Sequence, residues 1–406
     1  MPIFGRVSNQ KANRPLWSNS GLAMPIREQH FTIAAPPDFE LGLPREPLSY
    51  SVYTPEDGEG GDADAKRPLL FFIGGFGFRR DGDYVAGKLV PHLVSKGFVT
   101  VTVSYHGSLV RTTSDPSFTV RPDWFDDFRR VSGVTVPDDP KAVIALLRAN
   151  GVAELPPEFS VIKHCGNDYE SFGTLGALDH LQVYGDMIRR GIAFDRQRVA
   201  AFGTSHGAYL AMMMLKFAPH TLSAVIENSC WVHAIETEMN NLWQPHRHHF
   251  DAGGVRVYYS NFSPWTRDDP SDPGHLKPAH LEMRDLRGDH YRGASGAAVI
   301  SYHGADDQMI PADDKRGLWD RLKTHVDLRT TMVTADKVDG RLFKNTLHGL
   351  DASLIGLFDD AMARLGDIPT RPGDDFQRAE MRTLKCGGAQ YEIDYRTDCS
   401  FRASLR

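Results

Sequence analysis

The chain has 406 residues, 41% of them apolar, and a formal net charge of −6. That supplies enough apolar material for one large α/β domain with insertions, or two modest domains, and excludes a disordered chain. The mild acidity offers no bulk electrostatic basis for a nucleic-acid partner, and no window is apolar for long enough to form a membrane helix. Met1 to Pro15 lacks the apolar stretch of a secretory signal. The four cysteines, Cys165, Cys230, Cys386 and Cys399, include no C-x-x-C pair. They read as reduced thiols, although Cys386 and Cys399 could meet across a hairpin, and a cytoplasmic location is expected.

Residues 1–27 show no periodicity and read as an N-terminal arm. From His30 the chain alternates, and Leu48, Tyr50 and Val52 have the period of two of a half-buried strand. After a polar, Gly- and Asp-rich stretch, 56–66, comes the apolar burst Leu69-Leu70-Phe71-Phe72-Ile73, stopped by Gly74-Gly75-Phe76-Gly77. Short apolar runs ended by glycine fit strands buried on both faces. A second such strand is predicted over 98–105, with a crossover helix over 84–95 between the two, giving a βαβ unit. Residues 107–167 break the rhythm and read as an excursion with one well-marked helix, capped by Asp139, opened by Pro140 and ended at Gly151.

Leu175, Leu178, Leu181 and Tyr184 then mark an amphipathic helix. Strands are predicted over 198–202, 222–226, 297–302 and 328–333, and helices over 207–217, 313–326 and 350–365. Strands alternating with helices predict a doubly wound, mostly parallel sheet, so 28–365 reads as the main α/β domain. The stretch 231–296 is too long for an ordinary connection and reads as a cap, and 366–406 as an appended segment with short strands.

Gly203-Thr204-Ser205-His206-Gly207 falls between an apolar strand and an apolar helix. A nucleophilic serine has to project from a sharp strand-to-helix turn, where glycines two residues either side relieve crowding. A serine hydroxyl is a weak nucleophile at neutral pH and needs a base, which in turn needs an orienting acid. The predicted strand 297–302 runs into His303-Gly304-Ala305-Asp306-Asp307, so Asp307 is the candidate acid, with Asp306 as rival and Glu227 behind it. Among 17 histidines, His348 stands out because it follows the last predicted strand and precedes the last core helix. The candidate oxyanion donors are the backbone N–H groups of His206 and of Phe76 or Gly75 in the glycine-rich loop. That loop has neither the lysine nor the spacing of a phosphate cradle.

Gly-Gly-Phe-Gly at 74–77, Gly-Thr-Ser-His-Gly at 203–207, His-Gly…Asp…Ile-Pro at 303–311 and Leu-His-Gly at 347–349 together resemble the α/β-hydrolase superfamily. The approach Phe194-Asp195-Arg196-Gln197-Arg198-Val199 is similar to its prolyl-oligopeptidase-like and acyl-esterase branches. The resemblance implies an eight-stranded-type sheet and a Ser205–His348–Asp307 triad cleaving an ester through an acyl-enzyme. More narrowly, Phe-Phe-Ile-Gly-Gly-Phe-Gly at 71–77 with Ser-Tyr-His-Gly at 104–107 resembles a bacterial domain-of-unknown-function family linked with flagellin or surface-glycan modification. This implies an acyl group on a sugar or small molecule as substrate. Many esterases carry a histidine where Ile73 or Gly74 stands, so the second oxyanion donor is left open.

Tyr105, His106 and Trp231 are candidate substrate contacts. The run Pro245-His246-Arg247-His248-His249 lacks the helical His spacing with a glutamate that marks hydrolytic zinc sites, so no metal and no cofactor are expected. Expected partners are the acyl substrate alone, with neither nucleic acid nor membrane, and assembly into a homo-oligomer remains open. Three other readings stand beside an esterase: an acyltransferase using the same triad, a prolyl-oligopeptidase-like peptidase, and an inactive hydrolase fold that only binds. The peptidase lacks room for a propeller before the first strand.

Overall fold

The computed structural model describes residues 25–56, 66–80, 82–235, 239, 248–267 and 269–406. It divides into a larger unit, 21–108 with 171–234 and 277–406, and a smaller one that includes 109–170 and 235–276. Most of the expected N-terminal arm, the 57–65 turn and His246 lie outside the described residues.

In the larger unit eight strands form one sheet: β1 (Ile26–Ile33), β2 (Leu48–Pro55), β3 (Pro68–Ile73), β4 (Val99–Ser104), β5 (Asp195–Thr204), β6 (Ala224–Asn228), β7 (Ala298–Gly304) and β8 (Asp327–Val333). Their order is β1-β2-β4-β3-β5-β6-β7-β8. β2 runs antiparallel to β1 and β4, and all other pairs are parallel. This is the mostly parallel, doubly wound α/β-hydrolase fold. The sequence explains the layering. Edge strand β1 carries four successive polar residues, Arg27 to His30, and is only half covered, whereas β3 is buried throughout beyond Pro68. Phe72 packs into a cluster with Leu89, Leu93, Phe358 and Ala361, from helices on one face. Its neighbour Phe71 points the other way, edge-on to His180 in helix Thr174–Arg189. Helix His206–Phe217 is buried at every position, as its largely apolar composition requires, and its one ammonium, Lys216, donates to the Met283 carbonyl.

Residues 366–406 belong to this unit rather than hanging from it. Strands Met381–Cys386, Ala389–Tyr395 and Phe401–Leu405 form an antiparallel sheet. The Tyr395 hydroxyl donates to the Phe217 carbonyl at 3.2 Å, and Tyr184 donates to Asp374 at 2.6 Å. All four cysteines are free and buried. No helix among the described residues is long and apolar enough to cross a membrane.

The smaller unit joins the two stretches that interrupt the main domain. Strand Arg256–Asn261 runs parallel to Val161–His164 and antiparallel to His249–Asp251, and Ser117–Thr119 completes the sheet. The expected helix is present as Pro140–Ala149, with the Asp139 carboxylate accepting from the Lys141 N–H at 3.0 Å. A second helix, Trp124–Ser132, lies in what sequence alone left irregular. Its buried Trp124 and Phe128, one turn apart, are a signal too short to stand out. The second interruption is also narrower than 231–296, because 231–234 and 277–296 belong to the larger unit.

One fully buried ion pair ties the C-terminal sheet to the core. Arg284 grips Glu40 with two bonds, of 2.8 and 2.5 Å, and both side chains are 0% exposed. Tyr391 donates to the same carboxylate at 2.7 Å. Burial pushes the Glu40 carboxyl up, but the guanidinium outweighs it and holds the carboxyl below its usual value. Breaking one side of such a pair leaves an uncompensated buried charge. Arg284→Met or Glu40→Gln alone should therefore lower unfolding free energy by about 3–5 kcal/mol in a urea titration, and the double variant Glu40→Leu/Arg284→Met by clearly less.

His180, His290 and His303 share another liability, since burial pushes each of them down to about 4. Unfolded histidine titrates near ~6.5, so between the two values the unfolded chain binds more protons and stability falls as the pH drops. Stability against pH should slope upward from about 4 to about 6.5, and His303→Gln should remove roughly one proton from that slope.

Candidate active site

β3 and β5 to β8 all point their carboxyl ends at one edge of the sheet, where ligands of open α/β sheets bind. The register is tight there: Ile73 lies opposite Gly203, Thr204 opposite Asn228, and Asn228 opposite Tyr302. The residues that follow β5, β6 and β7 are thereby placed side by side.

Ser205 is the hinge between β5 and helix His206–Phe217, with φ 53° and ψ −123°. A non-glycine residue in that region is strained. It is held there because its N–H donates to the Asn228 carbonyl at 2.8 Å and its own carbonyl accepts from Tyr209 at 3.1 Å. The helix comes so close to β3 that a Cβ on Gly207 would stand 2.0 Å from the Ile73 carbonyl oxygen, so only glycine fits. Across the site, a Cβ on Gly75 would lie 3.2 Å from the Ser205 Cβ.

The Ser205 hydroxyl lies 2.8 Å from His348 Nε2, and His348 Nδ1 lies 2.8 Å from Asp307 Oδ2. The other Asp307 oxygen accepts the Met309 and Ile310 N–H groups at 2.9 and 3.0 Å. Burial pushes the Asp307 carboxyl up, but the bonds from His348 and the Ile310 N–H prevail and keep it below the usual carboxylate range. An ionised carboxylate only accepts, so Nδ1 carries the imidazole proton and Nε2 is free to take one from serine. The histidine loop is pinned on both sides. Gly349 donates to Ser229 Oγ at 2.9 Å and accepts from Asn228 Nδ2 at 3.1 Å. The Thr346 carbonyl takes the Asp306 N–H at 3.0 Å.

The rival acids are engaged elsewhere. Asp306 accepts the Thr346 hydroxyl at 2.6 Å. Glu227 is buried with the Lys315 ammonium at 2.5 Å and also accepts the Ser301 hydroxyl and the Cys230 N–H.

Trp231 sits at Ser205: its indole N–H donates to Oγ at 3.1 Å. Sequence placed this residue among substrate contacts but held no sign of that bond. Phe172 was missed altogether. It stands edge-on to Trp231 at 5.6 Å and to His206 at 5.3 Å, from the turn before helix Thr174–Arg189. Phe76 stacks flat on the His206 ring, 4.2 Å between centroids. The rings of Phe76, Phe172 and Trp231 contact one another, and Trp231 also meets His348, so an aromatic cluster adjoins Ser205. Tyr105 and His106 are both buried. The Tyr105 hydroxyl lies 3.4 Å from His206 Nδ1, behind that ring. The His106 N–H donates to Asp179 at 2.8 Å, and burial together with the Arg45 charge holds the imidazole well below its ordinary value. Among the described residues no group of three or more histidines, cysteines or carboxylates is gathered for a metal ion.

No curated protein matches the chain. Among solved structures it is similar to the acylaminoacyl peptidase of Pyrococcus horikoshii, at 15% identity and a TM-score of 0.45, over 86% of this chain and 42% of that one. A Rhizomucor miehei esterase is 14% identical with a TM-score of 0.43, over 85% and 84%. A puromycin-hydrolyzing peptidase of Mycobacterium tuberculosis is 15% identical with a TM-score of 0.47, over 86% and 40%. The chain spans about two fifths of the length of both peptidases. A family model described as "Protein of unknown function (DUF2920)" matches residues 149–400, more than half of the sequence, and the chain belongs to that family.

Proposed function

We propose that the chain is a serine hydrolase that cleaves a carboxylic ester, with an acyl group on a sugar or small molecule as the substrate class. The observation that carries this reading is the unbroken run of hydrogen bonds from Ser205 Oγ through His348 to Asp307, starting at a strained strand-to-helix turn.

In the first half-reaction Oγ attacks the ester carbonyl carbon while its proton moves to His348 Nε2, and the carbonyl π pair moves onto oxygen. The imidazolium formed is stabilised by Asp307. The backbone N–H groups of His206 and of Gly75 or Phe76 are the donors for that oxyanion, helped by the positive end of helix His206–Phe217. His348 then returns the proton to the leaving alcohol. A water deprotonated by the same imidazole attacks the acyl-enzyme, and the acid departs as Oγ regains its proton. The aromatic surface around Ser205 suits an acyl chain, or the apolar face of a sugar stacked on a ring.

A fluorophosphonate probe should label the protein, with peptide mapping placing the adduct on Ser205. Ser205→Ala should abolish labelling and lower kcat on a p-nitrophenyl ester by about a million-fold. Asp307→Asn should cost roughly 10⁴-fold, whereas Asp306→Asn should leave the rate within a few-fold. Equal losses from the two aspartate variants would remove Asp307 from its assigned role. An acetylated-sugar panel then tests the substrate class: hydrolysis of none of its members would restrict the activity to other esters.

A further inference from the structure

Two groups, not one, hold the Ser205 hydroxyl. Besides His348 Nε2 at 2.8 Å, the Trp231 indole N–H meets Oγ at 3.1 Å. A backbone turn sets this second contact: Ser229, directly after β6, has φ 52° and donates its N–H to the Tyr302 carbonyl. The chain is thereby swung across the end of β7, and Trp231 ends fully buried, at 1% exposure. Ring contacts with Phe172, Phe76 and His348 lock its orientation.

An indole nitrogen can only donate. A hydroxyl oxygen has one proton and two lone pairs, and here the proton is committed to Nε2 because Nδ1–H is committed to Asp307. The indole therefore takes one lone pair and leaves the other for the substrate carbon. The row of donors runs one way: Trp231 N–H to Oγ, Oγ–H to Nε2, Nδ1–H to Asp307.

Resting on the hydrolase reading above, we infer that Trp231 is a positioning residue for the nucleophile, whose indole N–H fixes the Oγ rotamer and stabilises the negative charge that builds on Oγ. During attack the Oγ–carbon bond forms, the hydroxyl proton passes to Nε2 and the carbonyl π pair moves onto oxygen. The indole proton stays on its nitrogen throughout. A hydrogen bond to a charged acceptor is worth more than one to a neutral hydroxyl. The contact thus strengthens as the proton leaves, and it does so again when the serine oxygen departs from the acyl-enzyme.

The test compares Trp231→Phe and Trp231→His with wild type. Phenylalanine keeps an aromatic ring in the cluster and removes the donor. Histidine places Nε2 where the indole nitrogen stood and restores it. Three readouts are taken: kcat and KM on p-nitrophenyl acetate and butyrate, the second-order rate of fluorophosphonate labelling, and circular dichroism to verify the fold. Trp231→Phe should lower kcat/KM and the labelling rate together, by roughly tenfold or more. The loss should fall on kcat and be equal for both acyl lengths, and Trp231→His should recover part of it. Unchanged rates, a loss confined to KM, a loss that differs between acetate and butyrate, or no recovery in Trp231→His would each overturn the role and leave Trp231 a wall of the pocket. Ser205→Ala in parallel separates the two claims, because labelling that survives in that variant overturns the hydrolase reading itself.

Discussion

Ser205 rests at φ 53° and ψ −123°, a backbone that costs on the order of 1–3 kcal/mol and survives only where the surroundings over-determine it. Much of the larger unit supplies that constraint. The parallel pairing of β5 with β6 aligns the Asn228 carbonyl to receive the serine N–H. The wholly buried helix His206–Phe217 cannot swing outward without exposing its apolar surface. Gly207 lets that helix close on the end of β3, which brings the glycine-rich loop alongside Ser205. The strain is therefore anchored in the sheet, and it orients a side chain that a relaxed turn would leave free.

Two carboxylates end up close to the same sheet edge with opposite fates. Glu227, at the end of β6, is held by Lys315, Ser301 and Cys230. Asp307, past the end of β7, has one oxygen filled by two backbone N–H groups and the other turned to His348. His303, buried beneath, donates no hydrogen bond to Asp307, its Nδ1 standing 3.8 Å from Oδ2. Its Nε2 lies 3.0 Å from the Ile310 carbonyl, where it shapes the acid's loop. The partners of each carboxylate, rather than its position in the chain, decide which one can orient an imidazole.

The strands and helices of the larger unit were legible because their apolar runs are long and their turns are marked by glycine. The order serine, aspartate, histidine singled out the three side chains that the structure joins by hydrogen bonds. The aromatic surroundings were not legible. Phe172 and Trp231 come from turns with positive φ, at 172 and 229, held by serine, phenylalanine and tyrosine contacts that leave no periodic trace. The burial of Tyr105 and His106 was equally hidden, since a residue just past a strand end can face the ligand or the core, and here the Arg45–Asp179 pair draws His106 inward. The smaller unit resisted for a different reason. Its strands of three to six residues are short and its sheet is assembled from two distant stretches, so no local pattern announces the pairing.

That discontinuous assembly has a consequence for how the protein is made. Among the described residues strand Val161–His164 has its parallel neighbour in Arg256–Asn261, and between them the ribosome must deliver β5, the serine turn and β6. At ordinary elongation rates this is a wait of several seconds, during which the first stretch has an unmatched strand edge. The interval coincides with the emergence of the central strands of the larger unit. The smaller unit thus cannot close until the serine turn of the larger one has been made, and the larger one is completed only by 277–406, after it.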